Sequence, residues 1–204
     1  MQTVGVIDIG ISNISSVINA LKFLDAKVGT VRGPEDLVSF DKLVLPGVGS
    51  FPAGMRRLSE GWFDEALIEQ VSRGRYLLGI CLGMHLLADR GSEFEITKGL
   101  GLIPGEVKKL QFESDSSFRV PHIGWNDVEV KPSSVLCPDV SEGCFYFCHS
   151  YKFVPNEKCH IAAQTNYGEV FPSMIEKENI IGVQFHPEKS QKFGLKLLHE
   201  FICL

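Results

Sequence analysis

Apolar residues along this chain follow two rhythms. Short runs bounded by turn residues occur at 3–7, 26–31, 42–45 and 76–80; each is too short for a helix and reads as a buried strand. Between them the apolar positions recur at helical spacing. Val17, Ile18, Leu21 and Leu24 share one face behind a cap at Ser12 or Asn13, a short helical turn follows at 34–37, and a helix over 62–72 stops at Gly74. Another apolar stretch with helical spacing starts at Leu82. Strands alternating with helices over the first ninety residues predict an α/β fold, a doubly wound parallel sheet with helices on both faces. Ligands bind such sheets beyond the carboxyl ends of the strands.

From 99 to 171 the texture changes to short β-type runs at 107–110, 128–130, 145–147 and 161–163, which predict an antiparallel addition packed on the parallel sheet. Residues 111–118 are polar and serine-rich and read as an exposed loop. A last apolar strand over 180–185 leads into His186-Pro187-Glu188, and Phe193, Leu197 and Phe201 mark the inner face of a closing helix over 191–202. No repeat or linker interrupts the chain, so 1–204 reads as one domain, long enough to bury a core without staples.

Composition adds exclusions. With 44% hydrophobic and 22% charged residues the chain is ordinary for a soluble protein, and no apolar run approaches the roughly 20 residues that span a bilayer. A formal charge of −5 without a Lys/Arg block argues against a nucleic-acid groove. The chain opens directly on a strand, with no basic region or cleavage site, so a cytoplasmic location is expected. In that compartment the six cysteines, Cys81, Cys137, Cys144, Cys148, Cys159 and Cys203, are expected as thiols. Cys144, Cys148, Cys159 and His160 form a chemically plausible zinc set, but no Cys-x-x-Cys pair is present and Cys148 belongs to an aromatic run that reads as a buried strand. Neither a metal nor another cofactor is expected.

The candidate chemistry centres on Gly79-Ile80-Cys81-Leu82-Gly83, a strand, a sharp turn and a helix start with a thiol at the apex. Gly79 and Gly83 flank a turn too tight for a Cβ, and helix N-terminal N–H groups can stabilise negative charge on sulfur. The bland reading is a buried cysteine between packing glycines. A nucleophile also needs a base and a group to orient it, and His186-Pro187-Glu188 supplies both after a buried strand, although such a tripeptide alone is more often a surface turn. Pro46-Gly47-Val48-Gly49 lacks the Lys and Ser/Thr of a P-loop and the spacing of a dinucleotide loop. Beside a cysteine nucleophile its N–H groups suit an oxyanion hole, one that a glycine-rich loop can assemble only on activation.

Taken together, Pro46-Gly47-Val48-Gly49-Ser50-Phe51, Gly79-Ile80-Cys81-Leu82-Gly83-Met84, Val120-Pro121-His122-Ile123-Gly124-Trp125-Asn126, His149-Ser150-Tyr151 and Gln184-Phe185-His186-Pro187-Glu188-Lys189-Ser190 resemble the class I glutamine amidotransferases. The resemblance runs from the first strand to the last helix and is nearest to glutaminase subunits of imidazole glycerol phosphate synthase. It implies that Cys81 attacks the side-chain amide of L-glutamine, His186 shuttles the proton and Glu188 orients His186, giving ammonia and a glutamyl thioester that water cleaves. It also implies oxyanion donors at Val48 and Leu82, and glutamine contacts from Gly47, Gly49, Leu82, His149, Ser150 and Tyr151. Asn13, Trp125, Asn126, Tyr146 and Lys189 would face a separate (β/α)₈-barrel cyclase, the heterodimer partner that receives ammonia through a tunnel and makes imidazole glycerol phosphate and AICAR. An alternative is a paralogous subunit supplying ammonia to amidate a nucleotide-linked surface sugar. One position departs from the family: His85 stands where glutamine usually contacts the substrate. An imidazole there can donate or accept one hydrogen bond and adds a group titrating near neutral pH.

Overall fold

The computed structural model describes residues 2–112, 118–136 and 142–204; Cys137 and residues 113–117 of the polar segment lie outside them. The first half contains β1 (Thr3–Ile7), α1 (Ile14–Phe23), β2 (Lys27–Val31), β3 (Lys42–Gly47), α2 (Phe51–Glu60), α3 (Phe63–Ser72), β4 (Tyr76–Cys81) and α4 (Leu82–Leu86). Then come β5 (Arg90–Gly91), β6 (Thr97–Lys98), β7 (Gly105–Lys109), β8 (His122–Val130), β9 (Glu142–His149) and β10 (Tyr151–Pro155). The chain closes through β11 (Ile161–Tyr167), β12 (Glu169–Lys177), β13 (Ile180–Val183) and α5 (Gln191–Cys203).

Nine strands form the main sheet in the order β2-β1-β3-β4-β13-β12-β11-β8-β9. The first five run parallel, and the remaining pairings are antiparallel. The expected antiparallel addition therefore exists but is placed differently. β12, β11, β8 and β9 continue the sheet edge to edge, which satisfies the backbone groups that β13 would otherwise leave unpaired. A separate four-stranded sheet, β10-β7-β5-β6, stands beside it.

Both faces of the parallel half are buried, which explains why its strands read as continuous apolar runs. Val4, Val6, Val44, Leu78, Ile80, Ile181 and Val183 pack with α1 and α5 on one side. Ile7, Leu43, Leu45 and Leu77 pack with Phe51, Met55 and Leu58 of α2 and Phe63, Leu67 and Val71 of α3 on the other. α2 has no counterpart among the elements predicted above, because Pro52 and Gly54 look like a continuation of the preceding loop. Proline is compatible with a first helical turn. Gly54 serves packing, since a Cβ there would stand 2.9 Å from a Leu86 methyl group. Among the described residues no helix is long and apolar enough to cross a membrane.

Candidate active site

β4 lies between β3 and β13, all three parallel, so their carboxyl ends meet at one edge. Gly47 pairs with Cys81, and Val183 pairs with Ile80. The glycine loop, the thiol and the His186 segment are thus neighbours as a direct result of strand order.

Cys81 ends β4 and Leu82 begins α4, with Cys81 at φ 54° and ψ −108°. A non-glycine residue held there costs about 1–3 kcal/mol, a strain that the flanking structure enforces. A Cβ on Gly79 would stand 2.7 Å from the Gly83 carbonyl oxygen, and one on Gly83 would overlap the Leu45 carbonyl. Close approach therefore requires both glycines, as the sequence suggested. α4 has only five residues, so Cys81 gains the N–H groups of a helix start but little macrodipole.

His186 is held from several directions. Its N–H donates to the Tyr146 carbonyl at 2.9 Å. Its own carbonyl accepts the Ser190 hydroxyl at 2.6 Å, and that hydroxyl oxygen in turn accepts the Tyr146 N–H at 3.0 Å. Nδ1 lies 2.8 Å from Glu188 Oε1, with the two side chains only 5% and 3% exposed. Cys81 Sγ lies 3.9 Å from the Cys148 carbonyl oxygen and near enough to the imidazole to act on its charge. Burial alone would pull the His186 pKa down, but the Cys81 sulfur and the Glu188 carboxylate outweigh it and hold the value up to about 10. At neutral pH the ring carries both protons.

A cleft of about 350 Å³ opens at this edge. Val48, Gly49, Leu82, His85, His149, Ser150, Tyr151 and Lys189 line it together with Cys81 and His186. Gly47 sits directly behind, where a Cβ would be 3.0 Å from that of Leu82. A larger groove of about 510 Å³ beside α2 and α3 is lined by neither histidine nor cysteine, so size does not mark the chemistry. Glu93, Pro121 and Cys148 also line the cleft and were not expected. Among the described residues Glu93 is the one acidic residue of the lining, with Oε2 accepting the Phe51 N–H at 2.7 Å. In the sequence it is one more charge in a polar loop, and nothing distinguishes it from a solvated face.

The expected oxyanion donor at Val48 is engaged elsewhere. Its N–H donates to the Ile11 carbonyl at 3.0 Å, so in this conformation the cleft has at most the Leu82 side of an oxyanion hole. Turning the Gly47–Val48 peptide would free that N–H, and glycine at 47 makes the rotation permissible.

His85 differs from expectation. Its Nε2 donates to Gln184 Oε1 at 2.7 Å, because an amide oxygen only accepts. Burial pushes its pKa down to about 4, only partly opposed by the Gln184 hydrogen bond. It is therefore a neutral ring at physiological pH and not a group titrating near neutrality.

The residues expected to face a partner separate into two sets. Trp125 is 48% exposed and meets Tyr146 edge-on at 6.1 Å, with Lys189 Nζ 5.7 Å from the Tyr146 ring centre. Exposed Ile123 and Cys148 are cross-strand neighbours on the same outer face. Cys148 thus lies on the expected strand but points outward, because alternate residues of an edge strand face opposite ways. For the same reason Asn126 points away from Trp125, and its amide donates to the Asn166 carbonyl at 3.0 Å. Asn13 is exposed at the start of α1 and donates to Ser16. Cys159 and His160 cluster with Glu157 and not with Cys144 and Cys148.

The model of the family Glutamine amidotransferase class-I matches residues 5–203. The chain belongs to the class I glutamine amidotransferases. This amidotransferase is 43% identical over 203 residues to "Imidazole glycerol phosphate synthase subunit HisH 1" of Campylobacter jejuni (strain RM1221), covering 98% of this chain and 100% of that protein. It is 41% identical to "Imidazole glycerol phosphate synthase subunit HisH" of Helicobacter hepaticus, covering 98% of each. It is 42% identical to "Imidazole glycerol phosphate synthase hisHF, chloroplastic" of Arabidopsis thaliana, where it spans 98% of this chain but 34% of that protein. Among solved structures, "Crystal structure of glutamine amidotransferase" superposes with a TM-score of 0.77 at 21% identity, covering 98% and 99% of the two chains. PurLQS from Thermotoga maritima gives 0.73 at 17%, covering 100% and 99%. At those identities the structures show the fold alone.

Proposed function

We infer that this chain is the glutaminase subunit of an imidazole glycerol phosphate synthase serving histidine biosynthesis. The observation that carries the reading is the end-to-end match to the Campylobacter jejuni subunit, supported by Cys81 and His186 in one cleft with Glu188 held against the far side of the imidazole.

In this reading the Cys81 sulfur attacks the carboxamide carbon of glutamine, and His186, protonated in the free site, gives its proton to the departing nitrogen. Ammonia leaves and a glutamyl thioester remains. The now neutral His186 takes a proton from water, which attacks the thioester carbon and releases glutamate and the sulfur. Glu188 holds the Nδ1 side of the ring throughout, so Nε2 does the transfer. Glu93, the acidic residue of the lining, suits the α-ammonium group of glutamine.

Ammonia needs an acceptor site. A separate (β/α)₈-barrel cyclase is the proposed partner, and the Arabidopsis relative, two-thirds of which lies beyond the match, supports one. The face with Ile123, Trp125, Tyr146 and Lys189 adjoins the cleft mouth and suits docking. Asn126 belongs to the opposite face and is not part of it. The engaged Val48 N–H predicts an isolated chain with little turnover. The unpaired thiols of Cys81, Cys144, Cys148, Cys159 and Cys203 suit a reducing cytoplasm.

Co-purification with the barrel subunit, followed by assay of glutamate release with and without the acceptor nucleotide, tests the reading. Stimulated release coupled to imidazole glycerol phosphate formation supports it. Release coupled instead to amidation of a nucleotide-linked sugar would move the chain to the paralogous role.

A further inference from the structure

Behind the cleft wall, His122 forms a hydrogen-bonded pair with His149 of the wall itself, Nδ1 to Nε2 at 3.0 Å, with the two residues 2% and 5% exposed. Its polarity is fixed at both ends. His149 Nδ1 lies 2.7 Å from the Tyr151 carbonyl oxygen, which can only accept, so Nδ1 carries a hydrogen. In a neutral ring that leaves Nε2 of His149 as the acceptor, and the hydrogen between the rings belongs to His122 Nδ1. His122 Nε2 is then itself an acceptor, and the Asn126 amide nitrogen faces it at 3.4 Å. The donors run in one direction only: Asn126 to His122 to His149 to Tyr151. Protonating either ring would set donor against donor, and burial, which pushes the pKa values of His122 and His149 down to about 4 and about 3, agrees with both being neutral.

The location gives the pair a function. β9 ends at His149 and β10 starts at Tyr151, so the chain leaves the main sheet for the smaller one at Ser150, and these three residues form one wall of the cleft. The His149-to-Tyr151 bond ties that crossing together. His122 is stacked between Phe147 at 4.7 Å and Tyr167 at 3.9 Å, which prevents its ring from turning. With both nitrogens of His149 occupied, only its carbon edge is offered to a ligand.

We propose that His122 is a positioning residue for the glutamine cleft, acting through His149: its Nδ1–H fixes the His149 tautomer and thereby the wall at Ser150 and Tyr151. The proposal rests on reading this cleft as the glutamine site. Without the His122 donor, His149 Nε2 would be a buried acceptor free to compete for cleft water or substrate, and its ring could exchange nitrogens at Tyr151.

His122→Phe preserves the stacking and deletes the donor. His122→Asn restores a donor at the Nδ1 position, because the asparagine amide nitrogen overlies it. In the complex with the cyclase, His122→Phe is expected to raise the glutamine KM about tenfold, the worth of one buried neutral hydrogen bond, with kcat within about threefold; His122→Asn should recover most of the loss. Side-chain ¹⁵N shifts read the chain directly on the substrate-free protein: His149 protonated at Nδ1 and bare at Nε2 in the wild type, and a tautomer mixture in His122→Phe. A His149 found with Nε2–H, or His122→Phe with wild-type KM and wild-type tautomers, would overturn the proposal. Because the tautomers are measured without turnover, a wild-type complex that released no glutamate would refute the glutaminase reading while the shifts still decided the hydrogen-bond chain.

Discussion

Val48 donates its backbone N–H to the carbonyl of Ile11, 3.0 Å away, and so turns one of the two expected oxyanion donors away from the thiol it should serve. One oxyanion donor is worth about 10²–10³ in kcat. Glutamate release by the isolated chain is therefore expected to rise by about that factor when the cyclase binds. Equal release with and without the partner would show that the Val48 peptide need not turn.

In the proposed mechanism His186 and Glu188 act in series, so their losses should be unequal. His186→Ala removes the proton carrier, whereas Glu188→Ala removes only its orientation. The Glu188 variant should retain about one to two orders of magnitude more kcat in the complex than the His186 variant. The reverse order would assign the proton transfer wrongly.

Ser190 is completely buried and joins the Tyr146 N–H to the His186 carbonyl through one hydroxyl. Ser190→Ala leaves the Tyr146 N–H without a partner, while the His186 carbonyl keeps the Lys189 N–H, and should cost about 1–3 kcal/mol in denaturant unfolding, with kcat lowered as well. Unchanged stability would show that the hydroxyl is dispensable.

Much of this site was legible in the sequence, for a physical reason. An elbow cysteine with two glycines announces itself because the turn excludes every larger side chain. The base motif follows a buried strand parallel to the one that carries the thiol, so both had to arrive at the same sheet edge. What was hidden depends on faces and long-range pairing. Cys148 and Asn126 could not be assigned to the outside or inside of β9 and β8 before the register was known. Glu93 and Ser190 act through long-range or backbone-directed contacts that leave no pattern, and His85 looked like a titrating group until its depth was known. α2 escaped because a proline and a glycine at a helix start resemble a loop.

Histidine titration makes stability depend on pH from both sides. Burial lowers His85, His122 and His149 to about 4, 4 and 3 against an ordinary 6.5, so their contribution is present above pH 6.5 and is lost as pH falls toward 4 and 3. For His186 burial acts in the same direction, but the Cys81 and Glu188 contacts raise it to about 10. Its contribution is full below pH 6.5 and is lost as pH rises through 10. Denaturant midpoints should peak near pH 6.5, and His122→Phe should flatten the acid limb. A midpoint constant between pH 4 and 6.5 would contradict the burial of these rings.

Trp125 stands half-exposed beside the cleft mouth, with its indole edge-on to Tyr146. Trp125→Ala should leave the melting temperature nearly unchanged and weaken cyclase binding by about 30-fold, roughly 2 kcal/mol, as removal of a central aromatic anchor does. Wild-type affinity in a calorimetric titration would place the docking face elsewhere.

In the proposed reaction Cys81 opens glutamine and another subunit uses the ammonia. Cys81→Ala, assembled with the cyclase, tests both halves in one coupled assay of imidazole glycerol phosphate formation. With glutamine as the nitrogen source the rate should fall to background, and with an ammonium salt it should match the wild-type complex. Glutamine-dependent synthesis that survived the substitution would contradict the account.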